Sequence, residues 1–406
     1  MADTYRGGTP CEILSPMSGF LWGTGSSAHQ VEGWNEHNDW WEFEKKGERS
    51  LAACDFVNRF ERDLDLACAL GTNAFRFSME WSRLEPCEGE RNETAARYYE
   101  KLVAACRARG LRPMVTLLHF TLPRWCAERG GWLDERTLDA FERHVKWLAE
   151  RFGESVDLWV TVNEPNVQTG AGYLSGIFPP GKRARPDLAR RCERLLVRAH
   201  VRAYEALHAS KRPCEVGIAQ HAIDWRRNWL DPLGLVHRWA ENWNWGFLDE
   251  AMVMDYVGIN YYMSLRAHVP DLLRFGGVLP RLRGPATSDV GWPIDAEGFE
   301  RVLVAAHRRY KKPVIVTENG IADAKDALRP GYLAAHLDAL ERARAQGAVI
   351  DGYFHWALTD NFEWHEGYAP RFGLYAVDYA TQERRARPSC DVYRRYTMPS
   401  RGSGPR

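Results

Sequence analysis

The 406-residue sequence has no excess of either charge, with 54 Lys plus Arg against 54 Asp plus Glu. A balanced chain offers no bulk attraction for polyanions, so neither nucleic acid nor an anionic membrane is expected as a partner. No apolar run approaches the roughly 18 residues that a membrane span requires. The opening MADTYRGGTPCEIL has no basic stretch leading into an apolar core, which argues against a secretory signal. The nine cysteines are odd in number, scattered from Cys11 to Cys390, and form no C-x-x-C pair. That speaks against a disulfide framework or a zinc site and for reduced thiols in a cytoplasmic protein. No G-x-G-x-x-G follows an apolar run and no Gly/Ser linker divides the chain, so two doubly wound domains lack their signature.

What is present is a repeated alternation. Short β-rich runs begin at Gly19 (GFLWGT), Ala74 (AFRFS), Arg112 (RPMVTLLHF), Asp157 (DLWVTVNE), Glu215 (EVGIAQ), Asp255 (DYVGINYY), Lys312 (KPVIVTENG) and Gly352 (GYFHWAL). Amphipathic helical patterns lie between them; in AFERHVKWLAERF at 140–152, Phe141, Val145, Leu148 and Phe152 share one face. Strands alternating with helices over this length predict an α/β fold, a single-domain (β/α)8 TIM barrel spanning 16–397. Residues 1–15 read as an N-terminal extension and 398–406, MPSRGSGPR, as a flexible tail. The arginine-rich GKRARPDLARRCERLLVRAH at 181–200 places Leu188, Cys192, Leu195, Leu196 and Ala199 at helical spacing, so its arginines read as the wet face of a helix rather than a polyanion site.

Barrel chemistry gathers at the carboxyl ends of the strands. Those ends carry or run toward His29, Gln30 and Glu32; Arg76, Glu80 and Trp81; His119; Asn163 and Glu164; Asn260, Tyr261 and Tyr262; Glu318; and His355 and Trp356, followed by Asp360, Glu363 and Trp364. Singly, each has a plain structural explanation, and Asn319-Gly320 is a common turn dipeptide. Glu164 and Glu318 are harder to account for. A carboxylate ending an apolar strand is costly unless paired or functional, and strands four and seven are expected on opposite sides of the ring, with these glutamates facing across its mouth. Two facing carboxyl groups suit glycosidic cleavage, where one donates a proton and the other stabilises or attacks the sugar carbon.

The motifs TVNEPN and VTENG, with GTGSSAHQVEGW, AFRFSMEWSRLEP, LLHFTLPRW, VGINYY and GYFHWALTDNFEWHEGYAPRFGLYAVDY, closely resemble glycoside hydrolase family 1, the β-glucosidase family, from about Phe20 to Tyr396. The resemblance implies a retaining β-glycosidase without cofactor, with Glu164 as general acid/base, Glu318 as nucleophile, and carboxyl groups ~5–5.5 Å apart. It implies further that Arg76 and Tyr262 contact the nucleophile and that Asn163 bonds the sugar 2-hydroxyl. Gln30, His119, Glu363 and Trp364 would hold the other hydroxyls, and Trp356 would lie beneath the ring. Members acting on 6-phosphorylated sugars have a small hydroxyl residue where Glu363 stands and a nearby Lys; a carboxylate there would repel a phosphate, so a neutral glycon is expected: β-glucosides, with β-galactosides and β-fucosides as further candidates. Two other readings stay open, a transglycosylating enzyme and a sugar-binding barrel without turnover. The chain departs from the family pattern over 243–255, which is short, over 263–292, which has no mappable motif, and at Phe120, where many members have Trp.

Overall fold

The computed structural model describes residues 19–209, 213–275, 281, 284 and 286–398; the expected 1–15 extension and the tail after Met398 lie outside them. Eight parallel strands close into a barrel: β1 Leu21–Gly25, β2 Ala74–Ser78, β3 Arg112–Leu118, β4 Leu158–Asn163, β5 Glu215–His221, β6 Tyr256–Tyr261, β7 Val314–Asn319 and β8 Ile350–His355. Each pairs with its neighbours in sequence, and β1 pairs with both β2 and β8. A helix follows every strand: α1 Phe56–Ala69, α2 Glu93–Ala108, α3 Glu135–Phe152, α4 Pro186–His208, α5 Leu235–Ala251, α6 Ala296–Tyr310, α7 Arg329–Ala345 and α8 Ser389–Thr397. This is the (β/α)8 barrel that the alternation predicts.

Strand pleating sends successive side chains to opposite faces, so each strand feeds two cores. Leu21, Met114, Val160, Ala219, Ile315 and Phe354 fill the barrel interior. Phe75, Phe77, Val115, Trp159, Ile218 and Tyr353 pack outward against the helices. Gly23 supplies room for the interior ring, since a side chain there would lie 2.3 Å from Phe354. In α3, Leu138, Phe141, Val145, Leu148 and Phe152 are buried, and the Asp134 side chain caps the helix by accepting from the Arg136 N–H. Helix α4 starts at Pro186 rather than near 181 and buries Cys192, Leu195, Leu196 and Ala199. Three of its arginines pair with carboxylates, Arg190 with Glu193 and Glu250, Arg198 with Glu135, and Arg202 with Asp139 and Glu142, while Arg191 donates to the Leu133 carbonyl.

Two expectations change. Strands β4 and β7 are separated by β5 and β6, so they stand three steps apart in the ring rather than opposite. Asn319-Gly320 is not a turn: Asn319 ends β7, where its amide bonds the Tyr261 carbonyl and the Tyr332 hydroxyl. Gly320 is required by space, because a Cβ there would fall 1.8 Å from the Trp356 carbonyl oxygen.

Candidate active site

Arg76 is the organising charge. It projects from β2 into the barrel mouth with no exposed side-chain surface, where burying a cation is tolerable only with partners. Its Nη1 donates to Glu318 Oε1 at 2.5 Å and to the Thr317 carbonyl at 3.0 Å, its Nη2 to Asn163 Oδ1 at 2.7 Å, and its Nε to Thr116 Oγ1 at 3.2 Å. Glu318, on β7, receives a second bond at Oε2 from the Tyr262 hydroxyl at 2.6 Å. Both carboxylate oxygens are therefore held by donors, one from a guanidinium and one from a phenol.

Glu164 sits differently. Pro165 disfavours the right-handed helical region for the residue before it, and Glu164 takes a left-handed conformation (φ 44°, ψ 59°) as β4 turns into the short helix Pro165–Gly170. For a residue other than glycine that costs of order 1–2 kcal/mol. Its Oε1 accepts one bond, from Asn260 Nδ2 at 2.9 Å. Burial, and then the negative charge of Glu318, push its pKa up to about 8. Asn260 also donates to Asn163 Oδ1 at 3.1 Å, so Glu318, Arg76, Asn163, Asn260 and Glu164 form one continuous polar chain. Two carboxyl groups in one cleft thus stand in contrasting surroundings, one held by a cation and a phenol, the other by a neutral amide.

The remaining side chains line the same cavity, of about 1040 Å3. His119 follows β3; its Nε2 lies 3.2 Å from the Asn163 amide, and its buried Nδ1 has no partner. Burial and the Arg76 charge hold its pKa well below the usual histidine value, so the ring is neutral. Gln30 follows β1 and bonds Glu363 Oε2 at 3.2 Å, while Trp356 Nε1 donates to Glu363 Oε1 at 3.3 Å. Burial pushes Glu363 up to about 8 against those two bonds, with Glu318 adding to the shift. The expected exclusion of phosphate therefore rests less on a fixed negative charge than on the lack of a cation, since no Lys or Arg contacts Glu363 among the described residues. Trp364 stacks on His119 at 6.0 Å and on His29 at 5.6 Å, and Phe120 packs edge-on against Trp364 at 5.1 Å.

Several strand-end candidates point elsewhere. Glu32 pairs with Arg83 at 3.0 Å and accepts from Tyr99; Glu80 bonds Ser82 and Thr121; Asp360 is gripped by both terminal nitrogens of Arg387 at 2.8 Å. His29 lies 3.2 Å from Glu44 behind the cavity wall. Trp81 packs in the outer core. Tyr261 and His355 each neighbour a site residue along the strand, and pleating turns both outward, Tyr261 to the Asp295 carbonyl and His355 against Tyr393. Asn260 joins the site, and its spacing of two from Tyr262 places both on one face. His221, at the end of β5, and Trp243, on α5, also line the cavity; the β5 run read from sequence stops one residue before His221.

Fold and site define a barrel glycosidase, with paired, contrasting carboxyl groups at the mouth of a (β/α)8 barrel. The chain belongs to glycosyl hydrolase family 1, whose model matches residues 16–232 and 247–399. It is 32% identical to a β-galactosidase of Pyrococcus woesei, over 92% of this chain and 95% of that one. It is also 32% identical to a bifunctional β-D-glucosidase/β-D-fucosidase of Bifidobacterium breve, over 93% and 97%. Among solved structures, a β-glycosidase from Pyrococcus horikoshii superposes with a TM-score of 0.85 at 36% identity, covering 93% of each chain.

Proposed function

We propose that this protein hydrolyses terminal non-reducing β-D-glucosyl residues, and β-galactosyl or β-fucosyl residues more broadly, through a covalent glycosyl-enzyme intermediate. The observation that carries the reading is the contrast between the two glutamates. Glu318, bonded by Arg76 and Tyr262, is placed to attack the anomeric carbon as a carboxylate. Glu164, whose proton is retained through neutral pH, is placed to protonate the leaving oxygen. The C–O bond to the leaving group breaks as the bond to Glu318 forms. Glu164, now a carboxylate, takes a proton from water, whose oxygen displaces Glu318 and returns the sugar with its original anomeric configuration. Asn163 is oriented by Arg76 to meet the sugar 2-hydroxyl, and Gln30, His119, Glu363, Trp356 and Trp364 surround the remaining hydroxyls.

A 2-deoxy-2-fluoro glucoside trap followed by peptide mass mapping tests this directly. Label on the peptide containing Glu318 is expected, with turnover of 4-nitrophenyl β-glucoside collapsing in Glu164→Gln and in Glu318→Gln. Label on another peptide, or a variant with wild-type turnover, would overturn the assignment. We further propose a cytoplasmic location, supported by eight unpaired thiols between Cys54 and Cys390.

A further inference from the structure

The proton from Glu164 goes to the leaving oxygen, so the leaving group must lie on the Glu164 side of the cavity. The glycon-side groups Gln30, Glu363 and Trp364 come from the loops after β1 and β8, whereas the next strand beyond Glu164 is β5. His221 ends that strand, in register with Asn260, whose amide bonds Glu164. It is 5% exposed, and its Nδ1 has no partner. Around it stand Trp243, edge-on at 6.4 Å, and Phe275, near-parallel at 6.4 Å; Trp239 stacks on Trp243 at 5.5 Å. All four line the cavity. Trp239 and Trp243 belong to residues 233–246, the stretch over which the family model does not match.

Trp243 is tied to the acid/base turn itself. Asn166, two residues after Glu164, donates to the carbonyls of both His221 (2.8 Å) and Trp243 (3.0 Å), and Gln220 donates to the Trp243 carbonyl at 3.1 Å. Gly170, at the end of the helix that Glu164 begins, leaves room for the indole; a Cβ there would lie 2.9 Å from its ring atoms. Its Nε1 is buried without a partner. Burial pushes the His221 pKa down to about 4, so at neutral pH the imidazole is uncharged and able to donate or accept.

We infer that His221, Trp239, Trp243 and Phe275 form a leaving-group subsite selective for planar aromatic aglycons. This aromatic wall offers a second sugar few partners for its hydroxyls, since His221 Nδ1 and Trp243 Nε1 are themselves buried. A flat aryl group buries its faces on the rings. The inference rests on the glycosidase reading, which assigns Glu164 as the proton donor.

The test compares 2-naphthyl β-glucoside with methyl β-glucoside, whose aglycon is too small to span the wall. Taking variant-to-wild-type ratios within each substrate cancels the difference in leaving-group chemistry. Trp243→Ala is expected to lower kcat/KM for the naphthyl substrate on the order of tenfold, mainly through KM, and to leave the methyl substrate within about twofold. Gly170→Ala should reproduce that selective loss by displacing the indole, and Trp243→Phe should restore most of the wild-type preference. Equal losses on both substrates, or none, would overturn the subsite. Calorimetry with the uncleaved 2-naphthyl β-thioglucoside separates this from the catalytic reading. Binding that Trp243→Ala weakens, in an enzyme that hydrolyses no glycoside, would retain the subsite and overturn the hydrolase; hydrolysis of both glucosides with no such weakening would do the reverse.

Discussion

Arg76 donates to Glu318 Oε1 at 2.5 Å, from 242 residues away in sequence, with both side chains almost wholly removed from solvent. Removing one partner of a buried pair leaves the other charge without compensation, at about 3–5 kcal/mol. Arg76→Gln is therefore expected to lower unfolding free energy by that order in urea titrations and to reduce kcat/KM sharply. Arg76→Lys keeps the charge but loses the fork that also holds Asn163, and should fall between. Wild-type stability in Arg76→Gln would show that the pair is not what holds β2 to β7.

On the proposed mechanism, Glu164 is expected to set the alkaline side of the pH profile. A carboxyl whose pKa is raised keeps its proton to higher pH, so kcat/KM should persist through neutrality and decline as pH passes about 8. In Glu164→Gln that limb should vanish along with about 10²–10⁴ of the rate for poor leaving groups. The same shift has a sign for stability. The folded state holds this proton more tightly than the unfolded chain, so wild type loses stability as pH rises from the ordinary carboxylate range toward about 8. The melting temperature of Glu164→Gln relative to wild type should therefore climb between pH 5 and pH 8.

Gly320 is expected to tolerate no side chain. The Trp356 carbonyl in its way is backbone, which cannot rotate aside as a side chain would. Gly320→Ala should cost about 3 kcal/mol or more and should impair turnover as well, because Glu318 and Trp356 both adjoin the displaced segment. A variant with unchanged kcat and melting temperature would refute the packing argument.

Discrimination against phosphorylated glycons should be strong. A phosphoryl group near Glu363 would meet a carboxyl, an amide and an indole with no cation to offset its charge. Hydrolysis of 4-nitrophenyl β-glucoside 6-phosphate is expected to fall on the order of a thousandfold below that of the unphosphorylated substrate. Comparable kcat/KM values would require a cation that the described residues do not place there.

The sequence by itself determined the barrel and its two glutamates. Strand and helix periods are local properties, and TVNEPN and VTENG each lie within one strand end, so both could be read from neighbouring residues alone. The facing of individual side chains needed the register: Asn260 and Tyr262 turn inward, while Tyr261 and His355 turn out, because pleating alternates and only the closed sheet shows which set meets the mouth. The resemblance already implied that Arg76 and Tyr262 touch Glu318; tertiary structure alone decided that Glu164 is left to a neutral amide and a raised pKa. It also showed that Gly320 answers to the Trp356 carbonyl rather than to a turn, and that Trp243 is tied to the turn after Glu164 through Asn166 and packs on Gly170. Those relationships join residues tens to hundreds of positions apart, and their energies depend on burial and distance, which exist only once the ring has closed.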